Sequence, residues 1–334
     1  ACPDRGSDRD RCAVATGSLR TPPGKMNMSN GEFYKSLEQC EIAAWRDFYG
    51  AGRERTGPTS GAHDEVGPGS VAAMVPSADV LGLNRVIGLG LGGPASDREI
   101  DDAVSRYATA GIPRFFVQVC PTAEPHDLPR RLVARGFRHH NNWVKLYRDT
   151  SPVVPIETNL ELREIDERDA EAFGRIIAES FEWSGELAEW SAALVGRDRW
   201  RCFMASDGPV PVGTAAFFDA GEGLAWLDFS TTHPDYRKRG VQAALMIHTM
   251  NAAREAGCHT LVIETAENMP GKVAPSYRNA LKFGFEVAYV RPNYVYAIGI
   301  THHGDSRTMA QPSRRAMSHS GFARTRSEGS VAAT

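Results

Sequence analysis

The sequence predicts an α/β (α+β) fold built as two similar domains in tandem, and three observations carry that prediction. The first is a strand, a basic glycine turn, a helix and a second strand in succession between Leu224 and Thr265. The second is an internal repeat. Ala110 to Val117 (Ala-Gly-Ile-Pro-Arg-Phe-Phe-Val) fall on Ala256 to Ile263 (Ala-Gly-Cys-His-Thr-Leu-Val-Ile), and Arg130 to Phe137 fall on Arg278 to Phe285 at nearly the same offset. The third is composition: 334 residues, 42% hydrophobic and 24% charged, exceed one typical domain and have ordinary globular proportions.

Taken in order, residues 1–25 are polar and rich in Arg, Asp and Pro, and are expected to be a disordered extension; the first methionines are Met26 and Met28. Residues 26–150 form the first domain. Residues 151–159 are a linker, interrupted by Pro152 and Pro155. The second domain spans 160–300 and opens with a strand at Leu160 to Ile165. A helix follows from Arg168 to Phe181, with Ala172, Ile176, Ile177 and Phe181 at helical spacing. Trp200 to Ser206 and Val212 to Phe218 make a strand pair around the turn at Asp207-Gly208. Leu224 to Thr231 is a buried strand. Val241, Ala244, Leu245, His248 and Ala252 recur at three and four residues, Gly257 stops that helix, and His259 to Thr265 is the next strand. Two closing strands are expected at Val287 to Val290 and Tyr294 to Ile298. Residues 301–334, rich in Ser, Arg, Thr and Ala, are expected to be a disordered tail.

Several classes are disfavoured at once. A formal charge of −3 gives no footing for nucleic acid. No apolar run reaches membrane-spanning length, and no hydrophobic signal core opens the chain, so cytoplasm is the default location. The six cysteines lack metal-like spacing and are expected to be free thiols in a reducing compartment, with no metal bound. Two like domains in one chain can mimic a homodimer, so a monomer or a homodimer is expected.

The turn His233-Pro-Asp-Tyr-Arg-Lys-Arg-Gly240 feeds a helix whose first N–H groups have no partner within the helix. Those donors and the positive end of the helix dipole favour an anion. Arg237, Lys238 and Arg239 add formal charge, and Gly240 lets the backbone approach a bound group. A pyrophosphate suits such a site; a basic surface turn before an ordinary amphipathic helix is the alternative. The counterpart in the first domain, Leu91 to Ser96, has no basic residue and carries Pro94. Gly88, Gly90, Gly92 and Gly93 do not have dinucleotide-binding spacing. The first domain therefore reads as a degenerate copy that packs against the second or shapes its cleft.

These residues resemble the GNAT superfamily of acyl-CoA N-acyltransferases. Its signature is Arg or Gln, two residues, Gly, one residue, then Gly or Ala; here Arg237 and Gly240 match, Gln242 departs, and Ala243 comes one position late. Ser276-Tyr-Arg-Asn-Ala-Leu-Lys-Phe-Gly-Phe285 resembles the family's fourth helix and its Gly-Phe ending. The resemblance covers roughly 160–300. It implies two tandem GNAT-like domains, each a mixed, mostly antiparallel sheet with flanking helices and a splayed central strand pair. It also implies acetyl-CoA as acyl donor, with Arg237, Lys238, Arg239, Gly240, Val241, Gln242, Ala243 and Ala244 on the pyrophosphate. Phe229, Ser230, Thr231 and Thr232 would lie along the pantetheine and supply the oxyanion donor, and Ser276, Arg278 and Asn279 would meet its thiol end.

An alkylammonium is mostly protonated at neutral pH, so a small-molecule or peptide amine acceptor needs a proton acceptor. The candidates are Asp228 and Glu264, one on each central strand; the alternative for each is a carboxylate paired to a neighbouring Arg or Lys. Strand alternation puts Asp228 on the face of Trp226 and Ser230. His233 and His248 have weaker claims. Many family members have a Tyr where this chain has Ala280; Tyr277, one turn earlier, could protonate the thiolate or simply pack. Glu182, Glu186 and Glu189, with Trp183 and Trp190 between them, would suit a cationic acceptor, or else form a solvated helix face. An acyl-CoA-binding sensor or assembly module without turnover is the alternative to an enzyme.

Overall fold

The computed structural model describes residues 28–154, 156–268 and 274–299. The expectations for residues 1–25, Met26, Pro155 and the tail from 301 lie outside the described residues.

The first half opens with a long helix, α1 (Asn30–Thr56), which starts at a capping box in which Ser29 and Glu32 satisfy each other's backbone N–H. It continues with β1 (Ala62–Asp64), β2 (Val71–Met74), β3 (Arg85–Ile87), α2 (Asp97–Thr109), β4 (Arg114–Gln118), α3 (Leu128–Ala134) and β5 (Arg138–Asp149). The second half contains β6 (Glu161–Glu164), a short 3₁₀ turn, α4 (Ala170–Phe181), α5 (Gly185–Ala192), β7 (Trp200–Asp207), β8 (Val210–Gly221), β9 (Leu224–Thr232), α6 (Val241–Glu255), β10 (Thr260–Ala266), α7 (Pro275–Lys282) and β11 (Glu286–Ala297). The repeated segments occupy equivalent places: α2 leads to β4 as α6 leads to β10, and α3 leads to β5 as α7 leads to β11. The two closing strands expected near the end are one strand. Pro292 interrupts the apolar pattern but not the pairing, since β11 bulges on either side of it and stays paired with β5.

All eleven strands form one sheet in the order β1-β2-β3-β4-β11-β5-β10-β9-β8-β7-β6. Only β3–β4 and β9–β10 pair in parallel; the other pairs are antiparallel. The last strand of each half crosses into the other: β5 pairs with β10, and β11 pairs with β4. No sheet edge therefore lies between the halves. The β9–β10 pair separates early. Pairing of β9 with β10 ends at Trp226 opposite Val262, although β9 runs on to Thr232 and β10 to Ala266.

Three cores flank this sheet. One joins α6 and α7 to the second half, one joins α2 and α3 to the first, and a third lies under α1, α4 and α5 and draws on both. The third core contains Trp45, Phe48 and Tyr49 from α1 and Trp190, Trp200 and Phe229 from the second half. Trp190 is wholly buried, and its indole Nε1 donates to Thr56 Oγ1 at 2.8 Å. Gly52 makes room for it: a Cβ there would lie 2.1 Å from Trp190 Cδ2.

Candidate functional site

The splayed pair and the start of α6 meet at one end of the sheet. Helix α6 begins at Gly240, whose φ is +80°, with no side-chain cap and no acidic residue in its first turn. The first N–H groups of a helix are donors seeking an acceptor, and here they directly follow Arg237, Lys238 and Arg239, all exposed. A Cβ on Gly240 would meet nothing within 4 Å, so the space above the turn is open. Arg239 lies over the Tyr236 ring at 4.8 Å and 3.7 Å from Asp207.

The equivalent turn of the first half is filled from within. Ser96 and Glu99 form a capping box on α2, which puts a carboxylate at the helix end. The preceding loop spends its amides on carbonyls: Gly92 N–H on Pro68 O at 3.1 Å, and Ala95 N–H on Glu124 O at 2.7 Å. One half thus leaves its helix start uncapped and open, and the other caps and fills it.

On β9, Phe229 has φ +52° and the β8 register slips beside it. Regular alternation would put Phe229 with Ala225 and Leu227 against α6. The bulge instead turns its ring onto the α1 side, where it packs against Phe48 at 5.4 Å. The alternation expected from sequence therefore breaks at Asp228. Its carboxylate accepts two N–H bonds, from Phe229 N at 2.7 Å and Trp226 Nε1 at 3.0 Å. Burial raises its pKa to about 6, against the lowering pull of those two donors and of Arg85, with Glu264 adding to the rise. Beyond it, Ser230 Oγ and Thr232 Oγ1 are buried and have no hydrogen-bond partner. Thr231 Oγ1 and Thr214 Oγ1 bond each other at 2.7 Å.

Glu264 has a different environment. It is held by Arg85 at 3.0 Å, by Lys145 at 3.5 Å and by Arg291, within a buried cluster that also contains Glu38 and Glu41 of α1. Burial alone would raise the pKa of Glu41, but Arg291, Lys145 and Arg85 hold it well below the usual carboxylate range. Three carboxylates face three cations, and Gln118 accepts from both arginines, so the cluster is close to self-neutralising. Sequence reasoning missed this cluster because its members come from α1, β3, β5, β10 and β11, far apart in the chain.

Gln242 donates to Ser230 O at 3.3 Å and accepts from Asn279 Nδ2 at 2.7 Å. Its side chain therefore ties α6 to β9 and α7. Val241 and Ala244 are buried, and Ala243 is half-buried. On α7, Ser276 and Arg278 are exposed, Tyr277 packs against the α6 core, and Ala280 is buried. Glu182 is exposed at the left-handed end of α4, and Trp183 stacks on Phe181 at 4.8 Å. Glu186 and Glu189 bond to the first half, through Ser77 at 2.5 Å and Arg55 at 2.9 Å. His233 caps the turn before α6, and His248 packs on Phe203. Among the described residues, no group of three His, Cys, Asp or Glu is placed to hold a metal, and no helix is long and apolar enough to cross a membrane.

The acetyltransferase (GNAT) family model matches residues 160–283, the segment that contains β9, the basic turn and α6. That segment is similar to a GNAT domain. Among solved structures, the chain is similar to a GCN5-related N-acetyltransferase from Kribbella flavida, at 16% identity and a TM-score of 0.55, over 78% of this chain and 95% of that one. It is also similar to a tandem GNAT protein from the clavulanic acid biosynthesis pathway, at 14% identity and a TM-score of 0.52, over 80% and 95% of the two chains. These likenesses establish the tandem fold and reach well beyond the GNAT domain into the first half. No curated protein matches the chain in sequence.

Proposed function

We propose that the chain is an acetyl-CoA-dependent N-acetyltransferase acting on a primary amine, with its working centre in residues 160–300 and a degenerate copy in 26–150. The observation that carries this reading is the juxtaposition of an uncapped helix start at Gly240 with the open fork between β9 and β10. The amides of Val241, Gln242 and Ala243, with Arg237, Lys238 and Arg239, would hold the pyrophosphate; the Ala244 N–H already bonds Gly240 O. The orphaned hydroxyls of Ser230 and Thr232 would meet the amide-rich pantetheine arm.

Asp228 is the base that suits the reaction. The amine nitrogen attacks the thioester carbonyl, Asp228 accepts the proton the nitrogen loses, and the C–S bond breaks as the C–N bond is completed. The Phe229 N–H is already given to Asp228 and Thr231 pairs with Thr214 of β8, which leaves the amides of Ser230 and Thr232 for the oxyanion. Tyr277 or water would return a proton to the departing thiolate. Glu264, neutralised by three cations, has no role as a base in this scheme. For the acceptor, exposed Glu182 beside the Phe181–Trp183 stack remains suited to a cationic amine, whereas Glu186 is engaged with the first half.

A second reading, an acyl-CoA-binding module without turnover, is favoured by two observations: α1 packs on Phe229 from the face on which Asp228 lies, and Ala280 stands where many family members have a Tyr. Titration calorimetry with acetyl-CoA, followed by thiol release across a panel of amines and peptides, separates the two. Binding with release supports the enzyme, binding without release the module, and no binding overturns both.

A further inference from the structure

We propose that Trp226 is a positioning residue for Asp228, its indole N–H aiming the carboxylate at the fork between β9 and β10. The inference rests on the catalytic reading above and deepens it. Trp226 is the last residue of β9 paired with β10 before the strands part, and it is 2% exposed. Its Nε1 donates to Asp228 Oδ2 at 3.0 Å while Phe229 N–H takes Oδ1 at 2.7 Å, so each carboxylate oxygen is fixed by one donor and keeps a lone pair for a proton.

Trp226 is itself held from the first half. Lys145 of β5, fully buried, lies 4.7 Å from the centroid of its ring and is paired with Glu41 of α1 and Glu264 of β10. Arg85 of β3 bonds Glu264 and Glu41 in the same cluster. The groups surrounding Asp228 are therefore the N–H donors of its own strand, Glu264 from β10, Arg85 from β3 and Lys145 behind the indole. Removing the indole N–H deletes a contact that favours the ionised carboxylate, so Asp228 should take up its proton at higher pH.

The test uses full-length protein. Trp226→Phe keeps an aromatic ring for Lys145 and removes the N–H; replacing Trp226 by benzothienylalanine removes only the N–H and keeps the shape. With acetyl-CoA and an accepted amine, the acid limb of the kcat/KM profile is expected to move up by about one pH unit and plateau kcat to fall roughly tenfold. KM for acetyl-CoA is expected to stay within about twofold, because the turn at Gly240 is untouched. An acid limb that stays in place in both variants overturns the inference, as does a KM for acetyl-CoA that rises in step with the loss of kcat. If Trp226→Phe does not fold, the isosteric replacement decides. Turnover by the natural protein with an unmoved limb in the variants sinks this inference alone; no turnover with any amine sinks the catalytic reading and this inference with it.

Discussion

Two residues at the fork carry opposite kinds of strain. Gly240 holds φ +80° over open space, so a side chain there meets no wall but is disfavoured by the backbone and occupies the anion site. Gly240→Val is expected to weaken acetyl-CoA binding more than tenfold by calorimetry. Asp228 has its midpoint raised from 3.8 to about 6, a difference worth roughly 3 kcal/mol. Between those two values the folded protein binds more protons than the unfolded one, so this group's contribution to stability falls as pH rises through the window. Asp228→Asn removes the cost of ionisation. It is expected to raise Tm at pH 8 and leave it nearly unchanged at pH 4, while thiol release falls about a hundredfold. Equal shifts in Tm at both pH values would contradict this.

At the scale of elements, α1 decides most of what sequence reasoning could not. Its buried face mixes Phe33, Leu37, Trp45 and Phe48 with Glu38 and Glu41. Two glutamates among apolar residues make sense only once Arg291, Lys145 and Arg85 arrive from other strands. The basic turn was legible because its chemistry is local: a glycine, three cations and a helix start lie within a few residues. The tryptophans and glutamates of α5 were ambiguous because a carboxylate beside an aromatic ring suits an amine and an interface equally. The structure puts Trp190 into α1 and ties Glu186 and Glu189 to Ser77 and Arg55 of the first half, which leaves Glu182 and Trp183 as the pair suited to an amine. Gly52→Val would drive a side chain into the Trp190 ring and is expected to destabilise the fold by about 1–3 kcal/mol in chemical denaturation. Acetyl-CoA affinity should stay unchanged, since the anion site lies elsewhere.

Across the whole molecule, the crossing of β5 and β11 makes each half depend on the other. Residues 160–299 expressed alone would lack β4 and β5, leaving β11 without a partner on either side, one edge of β10 unpaired and an apolar face without α1. That fragment is expected to aggregate, and co-expression with residues 28–159 is expected to restore soluble protein. A soluble, cooperatively folded fragment binding acetyl-CoA as the full chain does would refute this. By itself the sequence determined the repeat, the alternation of strands and helices, the basic turn and its missing counterpart, since each depends on neighbours in the chain. Only the tertiary structure decided that the halves share one sheet, that Glu264 is held by three cations, and that Trp226 donates to Asp228. Pairing across a sheet and solvation inside it depend on residues hundreds of positions apart, and a bulge at Phe229 overrides the alternation from which a strand's faces are read.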